Sequence, residues 1–288
     1  MTPGPAKERL VGRDGVELAL YRLRPAGRPE GALIIVHGYA EHATRHIDLA
    51  RSAQEVGYDV FAPDLRGHGE SPGVRGSVPG FGPSLADLHE LFRLTRATDP
   101  ELPVLLFGHS MGGAIALRYA LDHPTEVTAL ALSSPFLKDA ATRPAWLNRL
   151  AGVIARLLPN LPVASLDPAF ISRDPEQVER YRSDPLVYHG GVRANAGHAM
   201  IEQGEALRAR AHELVVPTLV IVGTSDSIAD PEGSRELAAA SDTVRLEEIA
   251  GGYHELHHDD AATGVPQKYR RLLVEWLQAN TRSAKNLR

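Results

Sequence analysis

Ser110 stands in a sequence pattern that is typical of a serine nucleophile. Residues 108–112 read Gly-His-Ser-Met-Gly and fit the motif G-x-S-x-G. The apolar run at 104–107 predicts a buried strand, and the apolar spacing over 114–121 predicts a helix, which is the context that the motif requires. Only small residues fit on either side of a serine held in such a strained turn. We therefore expect a nucleophile here, and not an incidental serine in a glycine-rich turn.

A serine hydroxyl needs a general base within hydrogen-bond reach and a third group that orients this base. In an open parallel sheet, such groups collect in the loops at the carboxyl ends of the strands. Asp226 follows the predicted strand at 218–222, and His254 follows the predicted strand at 244–249. The chain order of Ser110, Asp226 and His254 is that of the α/β-hydrolases. We therefore predict that His254 is the base and that Asp226 orients it.

Neighbouring residues compete for the same two roles. Asp230 lies four residues beyond Asp226 and is an alternative for the acid. His257 and His258 are alternatives for the base, but only His254 stands at the strand exit, directly after two glycines. The structural alternative for either aspartate is a turn or a helix cap.

Attack of a serine on an acyl carbonyl creates an oxyanion, which backbone N–H groups stabilise. The N–H of Met111 follows the nucleophile and opens a helix, whose dipole also favours negative charge. A second donor is expected from the loop after the predicted strand at 32–36, where the N–H of Tyr39 is the best candidate. His37 in the same loop is expected to have a structural role and to satisfy backbone groups.

The elements that must position these residues alternate between strands and helices. A turn at Asp14-Gly15 separates two alternating segments and predicts a β-hairpin. The predicted strands lie at 32–36, 59–62, 104–107, 127–132, 218–222 and 244–249, and the predicted helices lie at 44–56, 83–97, 114–121, 231–240 and 267–280. This alternation predicts an α/β fold with a mostly parallel central sheet flanked by helices.

The alternation stops between residues 135 and 215, a segment that we call the insertion. It contains helical patterns separated by prolines and no buried strand run. We predict an α/β-hydrolase core formed by residues 1–134 and 216–288, with a helical cap or lid at 135–215. Over 146–158, apolar residues recur at spacings of three and four with arginines between them, which predicts an amphipathic helix. Its apolar stripe could roof an acyl-binding pocket, touch a membrane surface transiently, or pack against the core.

Composition excludes several classes of function. The 288 residues are 43% hydrophobic, enough for one substantial core, and they carry a formal net charge of −5 without a basic run. We therefore expect no nucleic-acid partner. The chain contains no cysteine, no apolar N-terminal segment of the kind found in signal peptides, and no run of eighteen apolar residues. A cytoplasmic location follows as the expectation.

Two weaker patterns point to other ligands and are set aside. Gly67-His68-Gly69 resembles part of a dinucleotide-binding fingerprint, but no G-x-G-x-x-G is completed. The histidines and aspartates at 254–260 could bind a metal, but they lack the helical His-Glu-x-x-His pattern. We therefore predict neither a cofactor nor a metal.

Several segments of the chain resemble the successive sequence blocks of the monoacylglycerol lipases. These segments are HGYAEHATR at 37–45, DLRGHGES at 64–71, GHSMGG at 108–113, Asp226 with DPEGS at 230–234, and YHELH at 253–257. GHSMGG occurs in many serine hydrolases, whereas the HG-x-x-EH-x-x-R block is much narrower. The resemblance covers residues 30–278 and reaches the insertion at 172–175 and 184–190.

This resemblance implies an α/β-hydrolase core with a lid, and the hydrolysis of monoacylglycerols to glycerol and a fatty acid. Carried over by motif, Glu41, Arg45 and His257 would lie at the polar end of the pocket, where glycerol binds or leaves. The alternatives are surface charges at a helix start for Glu41 and Arg45, and a solvated loop for His257.

Other functions of the same fold stay open at this point. A general carboxylesterase or a lysophospholipase would use the same triad, and a catalytically silent binding module would share the fold. Val222-Gly223 stands where the family frequently has His-Gly, and residues 135–172 cannot be matched to the family one by one. Neither the acyl-chain preference nor the oligomeric state is therefore predicted.

Overall fold

The structure, a computed structural model, describes residues 5–141 and 145–286. The strands in these ranges are β1 (Ala6–Val11), β2 (Glu17–Leu23), β3 (Gly31–Val36), β4 (Tyr58–Pro63), β5 (Val104–His109), β6 (Ala129–Ser133), β7 (Pro162–Ala164), β8 (Val192–Arg193), β9 (Thr218–Gly223) and β10 (Val244–Ile249). The α-helices are α1 (Ile47–Glu55), α2 (Gly82–Thr98), α3 (Met111–Asp122), α4 (Ala145–Leu157), α5 (Pro175–Ser183), α6 (Ala194–Ala209), α7 (Pro231–Ala240) and α8 (Val265–Asn286). None of these described helices has both the length and the apolar character that a membrane crossing requires.

Eight of the strands form one sheet in the order β1-β2-β4-β3-β5-β6-β9-β10. All neighbours from β4 to β10 in this order pair in parallel. β1 and β2 form the predicted hairpin, and β2 pairs antiparallel with β4. The structure therefore confirms the predicted α/β-hydrolase fold with a mostly parallel central sheet.

Helices cover both faces of the sheet because its central strands are apolar on both sides. In β3, Ala32, Ile34 and Val36 pack into one core cluster, and Leu33 and Ile35 pack into the other. Successive residues of a strand point to opposite faces, so a strand that is buried on both faces has a continuous apolar sequence. β5 and β9 are likewise buried throughout. The parallel arrangement brings the carboxyl ends of β5, β9 and β10 to the same end of the sheet.

Most predicted elements of the sheet and its helices have the observed type, and their ends differ by a few residues. The insertion differs more, because β7 and β8 form a small antiparallel sheet of their own where only helices were predicted. These strands are three and two residues long. Such short strands leave no alternating pattern that the sequence could reveal.

The insertion is joined to the core next to the predicted base. The N–H of Glu255 donates to the carbonyl oxygen of Ile171 at 2.8 Å. Arg173 forms a bidentate ion pair with Asp259, with its Nε 2.9 Å from Oδ1 and its Nη2 2.8 Å from Oδ2. Both contacts link the insertion to the segment that carries His254.

Candidate active site

Ser110 lies in a tight turn between β5 and α3, with φ 52° and ψ −119°. A side chain on Gly108 would place its Cβ 2.4 Å from the carbonyl oxygen of Gly112, and one on Gly112 would place it 2.3 Å from the carbonyl oxygens of Val36 and His37. These contacts explain why both positions flanking the serine require glycine. The strained turn presents the serine hydroxyl at the end of the sheet.

Three residues that the sequence singled out meet at this turn. The Oγ of Ser110 lies 2.9 Å from Nε2 of His254, and Nδ1 of His254 lies 2.7 Å from Oδ2 of Asp226. The other oxygen of Asp226 accepts hydrogen bonds from the N–H groups of Ile228 and Ala229, at 2.9 and 3.0 Å. All three side chains are buried. In this geometry a serine hydroxyl can pass its proton to an imidazole whose tautomer is set by an aspartate.

Two of the three competing residues, Asp230 and His258, have other hydrogen-bond partners. Asp230 caps α7 by accepting a hydrogen bond from the N–H of Glu232 at 2.9 Å. The Nδ1 of His258 pairs with Glu255 at 2.8 Å. Both side chains therefore form hydrogen bonds outside the cluster of Ser110, His254 and Asp226.

The surroundings of His254 act on its pKa in opposite directions. Burial lowers this pKa because it disfavours the imidazolium, whereas the charge and the hydrogen bond of Asp226 raise it, and the charges of Glu255 and Glu41 add to the increase. The net result is a pKa above the ordinary value for histidine. A more basic imidazole favours proton transfer from Ser110.

The two residues with the predicted oxyanion donors are both near Ser110. Met111 is the first residue of α3, and Tyr39 lines the same cavity as the serine. His37 satisfies backbone groups, as the sequence predicted. Its Nδ1 donates to the next carbonyl oxygen at 2.8 Å, and its Nε2 accepts from the N–H of Leu65 at 2.9 Å. These bonds hold the loop that carries Tyr39.

Ser110 opens into a cavity of about 80 Å³ with one apolar wall. The side chains of this wall, which come mostly from the insertion, are Phe136, Leu166, Ile171, Val192, Met200 and Ile228. Five of them also line an adjoining cavity of about 270 Å³ that reaches Val163 and Phe170. An acyl chain would be stabilised along such a path, because each buried methylene contributes roughly 0.8 kcal/mol.

The remaining wall of the cavity is polar and includes Glu41, Glu255 and Tyr181. Arg45 lies behind the two carboxylates. Its Nε is 3.5 Å from Oε2 of Glu41, and its Nη2 donates to Oε2 of Glu255. Its guanidinium also lies over the ring of Tyr181, 4.8 Å from the ring centre. The guanidinium thus ties both carboxylates to one side chain of the insertion.

Both carboxylates are ionised although they are buried. Burial raises the pKa of Glu41, but His46, and to a smaller extent Arg45, bring it well below the usual value. Burial also raises the pKa of Glu255, but Arg45 and His258 bring it down to about 2. The cavity therefore has one charged wall and one apolar wall.

The three residues assigned by resemblance to the polar end are at different depths. Glu41 lines the cavity, and Arg45 lies directly behind it. His257 lies deeper, with its ring stacked on that of His46 at 4.7 Å between centres. Both ring nitrogens of His257 are buried without a hydrogen-bond partner among the described residues.

The sequence did not predict Glu255 or Tyr181. Glu255 stands inside the YHELH segment, where the neighbouring histidine is the recognisable signal. Tyr181 belongs to α5 of the insertion, where no pattern indicated contact with the cavity. Only the folded chain brings these two residues to the cavity, and the spacing of residues in the sequence does not indicate their position.

Two groups of described side chains have ligand atoms within 4.8 Å of one another, as a metal ion would need: Glu255 with His257 and His258, and His89 with His123 and Glu126. In the first group, Glu255 already accepts a hydrogen bond from Arg45. In the second group, Glu126 accepts a hydrogen bond from Tyr119. In both groups the carboxylate already has a protein partner.

Known proteins match most of the chain. Residues 27–261 match the family described as serine aminopeptidase, S33. The chain is 35% identical over 256 residues to the monoacylglycerol lipase of Mycolicibacterium smegmatis, a match that covers 88% of this chain and 91% of that relative. The chain belongs to the monoacylglycerol lipase family. It is 33% identical over 255 residues to human monoglyceride lipase, covering 87% of this chain and 84% of the human protein. As a member of the family, it is a serine ester hydrolase.

Solved structures agree with this family membership. The monoacylglycerol lipase of Paleococcus ferrophilus aligns with a TM-score of 0.80 at 33% identity, over 91% of this chain and 99% of that one. A soluble variant of the monoglyceride lipase of Saccharomyces cerevisiae aligns with a TM-score of 0.84 over 97% of both chains, and at 22% identity it supports the fold alone. The resemblance read from the sequence blocks is thereby confirmed.

Proposed function

We propose that this chain hydrolyses the ester bond of monoacylglycerols and releases glycerol and a free fatty acid. The observation that carries the proposal is the cavity at Ser110, which has an apolar wall suited to an acyl chain and a second wall with two buried carboxylates suited to hydroxyl groups. The names of the relatives, monoacylglycerol lipase and monoglyceride lipase, support the same substrate.

In the proposed reaction, His254 takes the proton of Ser110 while Oγ attacks the ester carbonyl. Asp226 orients the imidazole and stabilises the imidazolium. His254 then returns the proton to the alcohol oxygen, so that glycerol leaves and the acyl group remains on the serine. A water molecule activated by His254 attacks this acyl-enzyme, releases the fatty acid and restores the serine.

The N–H groups of Tyr39 and Met111 are proposed to bind the oxyanion of the tetrahedral intermediates. Met111 opens α3, so its N–H lies at the positive end of the helix dipole. Tyr39 shares the cavity with Ser110. Each such preorganised donor contributes on the order of 10²–10³ to the rate.

The hydroxyl groups of glycerol are proposed to bind beside Glu41 and Arg45. The Oε2 of Glu41 and the Nε of Arg45 are buried, and neither has a hydrogen-bond partner among the described residues. The two atoms lie 3.5 Å apart and form an ion pair without a hydrogen bond, and a hydroxyl in reach of both could donate to Oε2 and accept from Nε. We assign His257 to the support of this end of the site, because it packs against His46, which itself pairs with Glu41 at 3.1 Å.

Residues 135–215 are proposed to act as a lid that touches a lipid surface transiently, as part of a peripheral protein of the cytoplasm. Large apolar side chains of this segment are exposed by 44 to 72%, namely Val153, Leu157, Leu158, Leu161, Val163 and Phe170. Exposed apolar patches commonly mark interaction sites, and arginines beside them suit a lipid surface. The cavity that adjoins Ser110 also reaches Val163 and Phe170, so an acyl chain could enter there.

Rates on a panel of esters test the proposed function. We expect the highest kcat/KM for a monoacylglycerol, compared with di- and triacylglycerols, a lysophospholipid and short nitrophenyl esters. Ser110→Ala should abolish hydrolysis and labelling by a fluorophosphonate probe while the circular dichroism spectrum stays unchanged. Full activity of this variant would contradict the assignment of the nucleophile. A preference for nitrophenyl esters or for the lysophospholipid would favour a carboxylesterase or a lysophospholipase instead.

A further inference from the structure

Glu255 adds a second buried carboxylate to the cavity of Ser110, and the proposed reaction does not use it. The residue directly follows His254 and is 3% exposed. Its Oε2 accepts a hydrogen bond from Arg45 and pairs with Nδ1 of His258 at 2.8 Å. None of the hydrogen bonds within the described ranges reaches Oε1. The cavity wall therefore contains a carboxylate with one oxygen available.

The charges at this wall do not cancel. Glu41 and Glu255 are both ionised, because each has a pKa below the usual range. The guanidinium of Arg45 forms an ion pair with each of them. Counted without their histidine partners His46 and His258, two carboxylates and one guanidinium leave one net negative charge, on side chains that are 3 to 7% exposed.

The alcohol part of a bound ester must come close to this charge. A Cβ on Gly38 would lie 2.9 Å from Oε1 of Glu41 and 3.1 Å from Cβ of Ser110, so the carboxylate and the nucleophile flank the same small glycine. A charged group one or two carbon atoms from the ester oxygen would therefore meet Glu41 at short range, in a cavity that Glu255 also lines. Electrostatic interactions are strong there, because burial lowers the effective dielectric constant.

Starting from the proposed function, we propose that Glu255 makes this wall a charge filter for the alcohol part of the ester. Esters of neutral alcohols and of cationic amino alcohols are accepted, because hydroxyl and ammonium groups donate to the available carboxylate oxygen. Esters whose alcohol carries a phosphate group are rejected, because like charges repel in a buried site. Without Glu255, the charges of Glu41 and Arg45 would cancel and the filter would be lost.

The Glu255→Gln variant tests this proposal, since it removes the charge and keeps the shape. The kcat/KM values of a 1-acylglycerol and of the matching 1-acylglycerol 3-phosphate are compared. Both esters are used below their critical micelle concentrations, at one ionic strength and at about pH 8, where ordinary histidines are neutral. We expect the wild type to prefer the neutral ester strongly. In Glu255→Gln this preference should decrease by about tenfold or more.

Two further variants serve as controls. Glu255→Asp keeps the charge and should keep most of the preference. Glu232→Gln makes the same substitution in an ion pair on the surface of α7, where Glu232 is 47% exposed, and should leave the preference unchanged. If Glu255 only anchors Arg45, Glu255→Gln will lower both rates by the same factor, and an unchanged preference would overturn the charge filter.

Inhibition of the wild type gives a measurement that does not depend on the folding of a variant. Glycerol, glycerol 3-phosphate and 3-aminopropane-1,2-diol are compared as inhibitors of the hydrolysis of one neutral ester. The phosphate should inhibit at least about tenfold more weakly than glycerol, and the amine no more weakly than glycerol. Equal inhibition by the phosphate would overturn the proposal. Inactivity of the wild type on every monoacylglycerol would instead contradict the proposed function, and the inhibition test could still be run with a nitrophenyl ester.

Discussion

Among the single residues, His254 is subject to two opposing influences that determine how activity depends on pH. Burial lowers its pKa, and Asp226 raises it by more, so that the net pKa lies above the ordinary value. Only the neutral imidazole can take the proton of Ser110. We therefore expect kcat/KM for a water-soluble ester to fall as the pH decreases through this raised pKa. In Asp226→Asn the acid limb of the profile should move to lower pH, and an unmoved limb would assign it to another group.

Asp226→Asn should also reduce kcat by about 10⁴, because an asparagine favours the wrong tautomer of His254. Steady-state kinetics with a fluorophosphonate titration of active sites measure this loss per competent enzyme. Asp230→Asn is the matched control, since Asp230 caps α7. Because asparagine caps a helix about as well as aspartate, it should change stability by less than about 0.5 kcal/mol, with little change in kcat. A larger kinetic loss at Asp230 than at Asp226 would reassign the acid.

A site residue can be predicted from the sequence when neighbouring residues in the chain determine its position. Ser110 is marked by the glycines that its turn requires, and Asp226 and His254 are marked by strand exits. Glu255 has no comparable mark, because its partner Arg45 is 210 residues away in the chain. Tyr181 covers the same guanidinium from the insertion, and only the folded chain brings them together.

At the scale of elements, the close contact of α3 with the end of β3 makes Gly112 indispensable. A Cβ on Gly112 would lie 2.3 Å from two backbone carbonyl oxygens, which cannot move without shifting the loop that carries Tyr39. Gly112→Ala should therefore lower the free energy of unfolding by about 2–3 kcal/mol and reduce kcat by roughly 10². Denaturant unfolding and ester hydrolysis measure the two effects.

Gly27→Ala is the control for this substitution. Gly27 also lies in a loop between strands, but a Cβ there would have no atom within 4 Å. Its stability and its kcat should match those of the wild type. Equal effects of the two substitutions would contradict the role assigned to the contact between α3 and β3.

The link between the insertion and the segment 253–259 depends on Asp259. This side chain is fully buried and accepts hydrogen bonds from Arg173 and from the N–H groups of Tyr253 and Asp260. Asp259→Ala leaves these donors unpaired, so we expect a loss of about 3 kcal/mol in the free energy of unfolding and a lower kcat through a displaced His254. Asp260→Ala, which removes only the cap of a short 3-10 turn, should cost about 1 kcal/mol and leave kcat unchanged. Equal kinetics of the two variants would contradict the link.

Considered as a whole, the molecule divides into a part that its sequence predicts well and a part that it predicts poorly. The core strands are buried on both faces, so their apolar runs and their intervening helices could be predicted together. The insertion has short strands and exposed apolar residues, and its sequence pattern alone does not distinguish a lid from a lipid-binding surface. The side-chain exposures at the end of α4 now make that distinction testable.

Leu157 and Leu158 are exposed by 72% and 57%, and we predict that both enter a lipid surface. The double variant Leu157→Gln and Leu158→Gln keeps good helix formers but removes the apolar area, so binding to lipid vesicles should weaken by about tenfold or more. Hydrolysis of a monoacylglycerol presented in vesicles should fall by a similar factor, while a water-soluble ester should be hydrolysed at the wild-type rate. Val11→Gln, at a position on β1 that is as exposed as Leu158, is the control and should change neither rate. A lower rate of hydrolysis of the water-soluble ester as well would contradict this prediction. It would mean that these leucines stabilise the lid over the cavity and do not act by binding lipid.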